Sequence, residues 1–410
     1  MRSTTSGHLA RAAICVALAS LPAGCATEPP DDSSAVTIGL LLPFTGSESA
    51  TASNFERAVL YARDRINAGG GVKGRLLRVI SADTHSDVGR SKASIKQLID
   101  QGALVVLGPE SAEIAAEIKP ILDYSHVAFL SPLVGAADDE KVDCAHPWFR
   151  LAPSARALGE ALAKQMAATK VGRVAILHAE DAYDTALEDA VTQRFMSLGG
   201  KVTFEASLDP TAQSYASTIG RALDTEADAI VLASSPRSAA LTVNELAALS
   251  KERPRLFLSP LLKTDLLVQN VAPEALEGAL GVAPKIYDTS ADFPAAFGDR
   301  WLGDRPLEGA YFYYDAMVLL AFALEKSTMV DGKLDPEQLE SAVLAEAGPP
   351  GESLGWDEVE IGLERLRAQD QIYYSGLTGP MLLTECGARR LGTSSTWTVH
   401  AGTIGEVTDK

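Results

Sequence analysis

The stretch LVVLGPESAEIAAEIKPILDYSHVAFLSPLVG, residues 104–135, decides the fold. Residues 104–107 form a short apolar run closed by Gly108-Pro109, and residues 127–130 form another closed by Ser131-Pro132. Both read as buried strands ended by turn signals. Between them Ile114, Ile118, Ile121 and Leu122 recur at helical spacing, Ser111 is placed to cap the helix, and Glu113 lies in the first turn, where the helix dipole favours a carboxylate. The unit is strand, helix, strand, which belongs to a parallel sheet. Open parallel sheets bind ligands beyond the carboxyl ends of their strands, so the turns 108–111 and 131–135 are the first places to look for a site.

The stretch has an echo. Residues 229–233 (AIVLA) end at Ser234-Ser235-Pro236, a helical segment follows, and FLSPL at 257–261 repeats FLSPL at 129–133. One repeated pentapeptide is a small signal, but its recurrence in the same strand-helix-strand order predicts two similar half-chains.

With 410 residues, 46% of them hydrophobic, the chain can bury two sizeable cores. Its net charge of -18 excludes a nucleic-acid surface, which needs a basic patch. At the N-terminus, Arg2, His8 and Arg11 precede an apolar run at 12–21. That run is too short to span a bilayer and has the length of a secretory signal core. It ends in LPAGC, residues 21–25, which resembles a bacterial lipoprotein processing box with Cys25 as the lipidated residue. Pro22 departs from that pattern, since Leu21 stands four residues before the Cys rather than three, and an ordinary signal peptide cut nearby is the alternative. Residues 26–35 (ATEPPDDSSA) then read as a flexible tether. Of four cysteines, Cys15 lies in the signal, so Cys144 and Cys386 remain. An oxidising compartment allows them to pair, although nothing in the sequence brings them together.

Further along, residues 36–42 (VTIGLLL) form the first strand and end at Pro43-Phe44-Thr45-Gly46. A helix with Phe55, Val59, Ala62 and Ile66 on one face follows, closed by Gly69-Gly70-Gly71. These glycines follow a helix, whereas a dinucleotide loop follows a strand and opens a helix, so they are helix-terminating residues. A second strand is expected at 76–81.

The Pro-Phe-Thr-Gly turn, INAGGGVKGRLLRVISAD (66–83), LVVLGPESAE (104–113) and VAFLSPLVGAADD (127–139) together resemble the substrate-binding proteins of branched-chain amino-acid (Leu/Ile/Val) type ABC transporters, periplasmic binding proteins of the first structural type. The resemblance runs from about residue 36 to about 400. It implies an α/β fold of two αβα lobes with parallel sheets, joined by three crossings of the chain. Residues 36–150 and 285–377 form lobe 1, and residues 151–284 and 378–410 form lobe 2, after a signal at 1–25 and a tether at 26–35. The return crossing is expected around 278–282. The region 348–356 is expected to be a loop, and the acidic stretch 356–371, with Leu363 and Leu366 on one side and charges elsewhere, a solvated surface helix or loop.

The resemblance also carries over to cleft positions. Ser111 and the amides at its helix start match a ligand-carboxylate contact, with Glu110 and Glu113 set to repel an anion unless they point outward. Leu133 and Gly135 belong to the second contact loop of lobe 1, where amino-acid binders usually have a hydroxyl in place of Gly135. Tyr183 matches the cleft-facing tyrosine of lobe 2. Thr51 and Ser235 stand where aromatic residues are expected, and Leu261 stands where an acid pairs the ligand's ammonium. Without that acid a buried ammonium is unpaired, which disfavours a plain α-amino acid. Arg237, Lys263 and Asp265 are charged candidates near the same strand ends, and Tyr311 and Tyr313 are candidates for an aromatic wall.

The implied function is an extracytoplasmic lipoprotein that captures an amino acid, short carboxylate or amide and delivers it to an ABC permease, with membrane contact through the lipid alone and no cofactor. A ligand sensor or regulatory docking protein is the alternative. Among enzymes only an envelope hydrolase assembled from His178, Asp181 and Ser235 was conceivable: the six histidines form no HExxH, and GxSxG, Walker and CxxC motifs are absent. No catalytic or metal residue is expected.

Overall fold

The computed structural model describes residues 35–46, 48–135, 148–250, 253–287, 292–330, 333–389 and 394–407. The signal, Cys25, nearly all of the tether and Cys144 lie outside them.

The chain opens with β1 (Val36–Leu42), α1 (Ala52–Ala68), β2 (Leu77–Asp83), α2 (Val88–Asp100), β3 (Val105–Leu107), α3 (Ala112–Ser125), β4 (Ala128–Ser131) and β5 (Phe149–Arg150). These strands make one parallel sheet in the order β2-β1-β3-β4-β5. Every residue of β1 and β3 is buried. Helices cover both faces, which is why the strands read as continuous apolar runs without alternation.

The second unit begins with α4 (Ala155–Ala168), β6 (Arg173–His178), α5 (Ala182–Ser197), β7 (Lys201–Ser207), α6 (Ala216–Leu223), β8 (Ala229–Ala233), α7 (Pro236–Leu249) and β9 (Arg255–Leu258). A 3-10 turn (Pro260–Leu262) leads to the short α8 (Asp265–Gln269), α9 (Pro273–Leu276) and then β10 (Leu280–Pro284). The chain then returns to the first core through α10 (Asp292–Arg300), α11 (Glu308–Lys326), β11 (Met329–Val330), β12 (Lys333–Leu334), α12 (Pro336–Glu346), β13 (Glu352–Leu354), α13 (Val359–Arg367), β14 (Ile372–Gly376) and β15 (Gly379–Pro380). Finally β16 (Ser394–His400) and β17 (Thr403–Glu406) complete a second sheet of order β17-β16-β10-β9-β8-β6-β7. It is parallel except for β16 and β17, which run antiparallel at one side.

The two sheets have separate cores. Helix α11 is the centre of the first: from Phe312 to Glu325 every residue is buried, the all-round burial expected of a helix without a solvated face. The repeated FLSPL marks equivalent turns, because Ser131 and Ser259 both sit fully buried at strand ends in different sheets.

Three expectations need correction. The segment 278–282 is no crossing: most of it is β10, hydrogen-bonded between β9 and β16, and the chain leaves afterwards, where the Tyr287 N–H donates to the Leu377 carbonyl (2.7 Å). The region 348–356 contains β13, which pairs parallel with β14. The acidic stretch is less solvated than expected, since α13 buries Val359 and Gly362 together with the expected Leu363 and Leu366. These four recur at helical spacing, and a Cβ on Gly362 would stand 2.2 Å from Phe322 Cζ.

Where the chain passes between the sheets, two buried charged groups hold the crossing segments. Asp315 on α11 is fully buried and accepts from the Tyr374 hydroxyl (2.7 Å), the Leu377 N–H (3.0 Å), the Thr378 N–H (2.7 Å) and the Thr378 hydroxyl (2.8 Å). Arg389 donates to the carbonyls of Leu151 (3.0 Å), Thr378 and Pro380 (3.1 Å). Segments far apart in sequence thus share one polar knot. Cys386, close to it in the chain, is disulfide-bonded.

Candidate functional site

In lobe 1 the carboxyl ends of β1, β3 and β4 meet the amino end of α11. After β3 the chain turns at Gly108, whose φ of +95° and 2.1 Å approach of a Cβ to the Leu41 carbonyl require glycine. Ser111 caps α3 as expected, its Oγ accepting from the Ile114 N–H at 3.3 Å. The adjoining Glu110 had figured in the sequence only as an obstacle to an anion. Both its carboxylate oxygens are buried without a hydrogen-bond partner. Burial pushes its carboxyl up to about 8, and the like charge of Glu48 adds to this.

Tyr313, on α11, is fully buried and stacked on Phe55 with ring centroids 5.1 Å apart. Its hydroxyl is also buried without a partner. Burial first, then the Glu110 charge, hold its pKa well above the usual phenol range. Tyr311 is different. Two residues along a helix is about 200° of rotation, and Tyr311 packs on Phe293 of α10 (5.1 Å), bordering a cavity of about 650 Å³ lined by Pro294, Gly298, Asp304 and Arg305. The structure therefore does not bring Tyr311 to the strand ends.

Leu133 is half-buried on the first core, and Gly135 is buried with a Cβ position 2.4 Å from the Pro153 carbonyl. This close approach explains why no hydroxyl-bearing residue stands there. Thr51 is the first residue before α1; its carbonyl accepts from Asn54 and Phe55, and its side chain makes no cap bond.

In lobe 2, β6 ends at His178 and Asp181 caps α5, accepting from the Tyr183 and Asp184 N–H groups, both at 2.9 Å. Tyr183 lies in the first turn, half-buried against the cluster formed with α4. Beside it Asp184 is 1% exposed and one of its oxygens lacks a partner. Burial and the Asp181 carboxylate push its carboxyl up to about 8. Ser235 caps α7, accepting from the Ser238 N–H at 3.3 Å, and remains exposed, as does Arg237. Leu261 is 52% exposed.

Lys263, a charged candidate for the ligand, is already engaged. Its ammonium pairs with Glu308 at the start of α11 (3.1 Å) and with Glu406 (3.7 Å). Because Glu308 belongs to the first core and Lys263 follows β9 of the second sheet, this contact joins the two lobes beside the strand ends. No sequence signal linked them.

The hydrolase arrangement does not form. His178 Nδ1 is bonded to the Ala179 carbonyl (2.7 Å), and Nε2 faces Glu205 (3.4 Å). His178, Glu188 and Glu205 are the one group among the described residues with the composition and spacing to hold a metal ion. Glu188 already accepts from the Thr192 hydroxyl (2.6 Å), and Glu205 is half exposed, so contacts within the lobe already account for the group.

Comparison with known proteins agrees with the two-lobed geometry. The chain is 24% identical over 370 residues to the chemotactic signal transduction system substrate-binding protein BasB of Halobacterium salinarum, covering 85% of this chain and 83% of that one. It is 22% identical over 320 residues to Leu/Ile/Val-binding protein homolog 2 of Brucella abortus, covering 77% and 83%. Among solved structures, the leucine-binding protein LivK of Thermotoga maritima superposes with a TM-score of 0.74 at 18% identity, over 91% of this chain and 98% of that one. That likeness shows the fold, the type I periplasmic binding protein arrangement of two α/β lobes. The periplasmic binding protein family model matches residues 35–349, and the chain belongs to the periplasmic binding protein family.

Proposed function

We propose that the protein is an exported solute receptor, tethered through Cys25, that captures a small polar or amino-acid-like ligand between residues 36–150 with 285–377 on one side and 151–284 with 378–410 on the other, and delivers it to an ABC permease. The observation that carries this reading is the contact of Lys263 with Glu308, which sets the carboxyl ends of both sheets beside one another. Ligand reaches the first lobe at Ser111, Thr51 and the backbone of residues 133–135, and hinge closure brings Tyr183 and Ser235 onto it. No bond to the ligand is made or broken, so the work is done by differential affinity for the closed form.

Thermal unfolding of residues 26–410, refolded to strip carried-over ligand, tests the receptor reading against amino acids, short carboxylates and amides. A ligand of the native state raises the melting temperature by mass action. The expected result is a shift that Tyr183→Ala abolishes; no shift with any solute contradicts the reading. A sensing role is the second reading, favoured by the likeness to the chemotactic protein BasB. Loss of uptake of the identified solute on gene deletion supports transport, and loss of taxis alone supports sensing.

Two further outcomes are expected. Cys25→Ser moves the protein from the membrane fraction to the soluble fraction on cell fractionation; unchanged membrane retention rejects the lipid anchor. Lys263→Ala removes a partly exposed pair worth about 0.2–1 kcal/mol, so ligand affinity by calorimetry falls up to about fivefold. An unchanged affinity shows that the contact does not favour the closed form.

A further inference from the structure

Building on the receptor reading, we propose that the first-lobe subsite at Glu110 takes a cationic nitrogen of the ligand, an ammonium, amidinium or guanidinium group carrying no carboxylate beside it. Two polar groups from distant parts of the chain, near enough for the Glu110 charge to raise the Tyr313 pKa, are buried without a partner. Both Glu110 oxygens and the Tyr313 hydroxyl are buried and lack partners, and Tyr313 is 0% exposed. Native folds rarely leave such groups unsatisfied, and when they do the missing partner is commonly a ligand, an ion or water. The ionised carboxylate offers only acceptors, so a donor that carries positive charge both bonds it and favours its ionised form.

The sign of the charge follows from the neighbours. The charged group that acts on Glu110 is Glu48, another carboxylate. A cation bound at Glu110 would favour its charged form, whereas a ligand carboxylate there would oppose its ionisation as Glu48 does. Ser111 accepts from the Ile114 N–H, and its hydroxyl hydrogen remains available to a neutral or acceptor part of the same ligand. Tyr313 completes the subsite as a neutral hydroxyl, able to accept from the same nitrogen.

Leucine cut in two ways tests the inference: 3-methylbutylamine keeps the nitrogen, and 4-methylpentanoate keeps the carboxylate. Agmatine and benzoate form a second pair, and leucine itself reports on the receptor reading. Melting shifts and calorimetry are measured on refolded residues 26–410. The amines are expected to bind and the carboxylates not to. Glu110→Gln, which keeps the shape, should weaken amine binding about 10- to 100-fold through loss of a charged hydrogen bond, and Tyr313→Phe should weaken it less. Binding of the carboxylates, or amine binding untouched by Glu110→Gln, overturns the inference and leaves the receptor reading standing. A shift with leucine and with neither amine also overturns it alone. No shift with any of the five, in protein that melts cooperatively, counts against the receptor reading as well.

Discussion

Replacing Asp315 with Ala is expected to cost about 3–5 kcal/mol, the range for removing one member of a buried charged network. The carboxylate accepts four hydrogen bonds from Tyr374, Leu377 and Thr378, and two of the donors are backbone N–H groups that no side-chain rotation can redirect. The substitution also strips the counter-charge from Arg389, a 5% exposed guanidinium whose pKa is lowered by burial and raised by Asp315. At a few degrees per kcal/mol, the melting temperature should fall by on the order of 10 °C. Asp315→Asn keeps one acceptor oxygen and should fall in between. A variant melting within about 2 °C of the parent would show that the knot is not what holds the crossing segments. On the proposed closure the lobes rotate about these segments, so losing the knot should also loosen the hinge.

Ligand-free protein is expected to lose stability as pH rises from about 5 to about 9. Glu110 and Asp184 are pushed up to about 8, and Glu346 to about 7, in each case first by burial. Their ordinary values are 4.5, 3.8 and 4.5, so between those values and 7–8 the folded chain holds more protons than the unfolded one. Stability is therefore fully present below the unfolded values and is lost as pH climbs through the folded ones. One such group contributes a slope of at most about 1.4 kcal/mol per pH unit, and partial solvation of Glu110 reduces its share. Glu110→Gln should flatten the melting-temperature profile between pH 6 and 9 and raise stability at the alkaline end. A parent profile that is flat or rising over that interval rejects the uncompensated burial of these carboxylates.

The parts of the fold that rest on local pattern were readable from residues alone. The apolar strand runs closed by Gly108-Pro109, Ser131-Pro132 and Ser259-Pro260, and the cap at Ser111, are short-range signals, and they stand where the spacing placed them. Helix α13 was legible in part, through Leu363 and Leu366 on one side, and only its packing on α1 and α11 shows how far that side is buried. Strand β13 was hidden because Glu352 and Ser353 are exposed. At the site the limits are of another kind. Tyr311 and Tyr313 are the same residue type on one helix, and only the positions of Phe293 and Phe55 decide which reaches the strand ends. Lys263 offered a free charge in the sequence, and its pairing with Glu308 depends on the two lobes meeting. Glu110 was visible beside Ser111, whereas the burial of its carboxylate is a tertiary fact.

Closure of the two lobes on a small solute is the central claim, and small-angle X-ray scattering of refolded residues 26–410 tests it most directly, with and without the solute that raises the melting temperature. The radius of gyration should fall on binding, and Tyr183→Ala should weaken both the binding and the compaction. A bound solute that leaves the radius of gyration unchanged, with affinity indifferent to Tyr183→Ala, would contradict capture by closure.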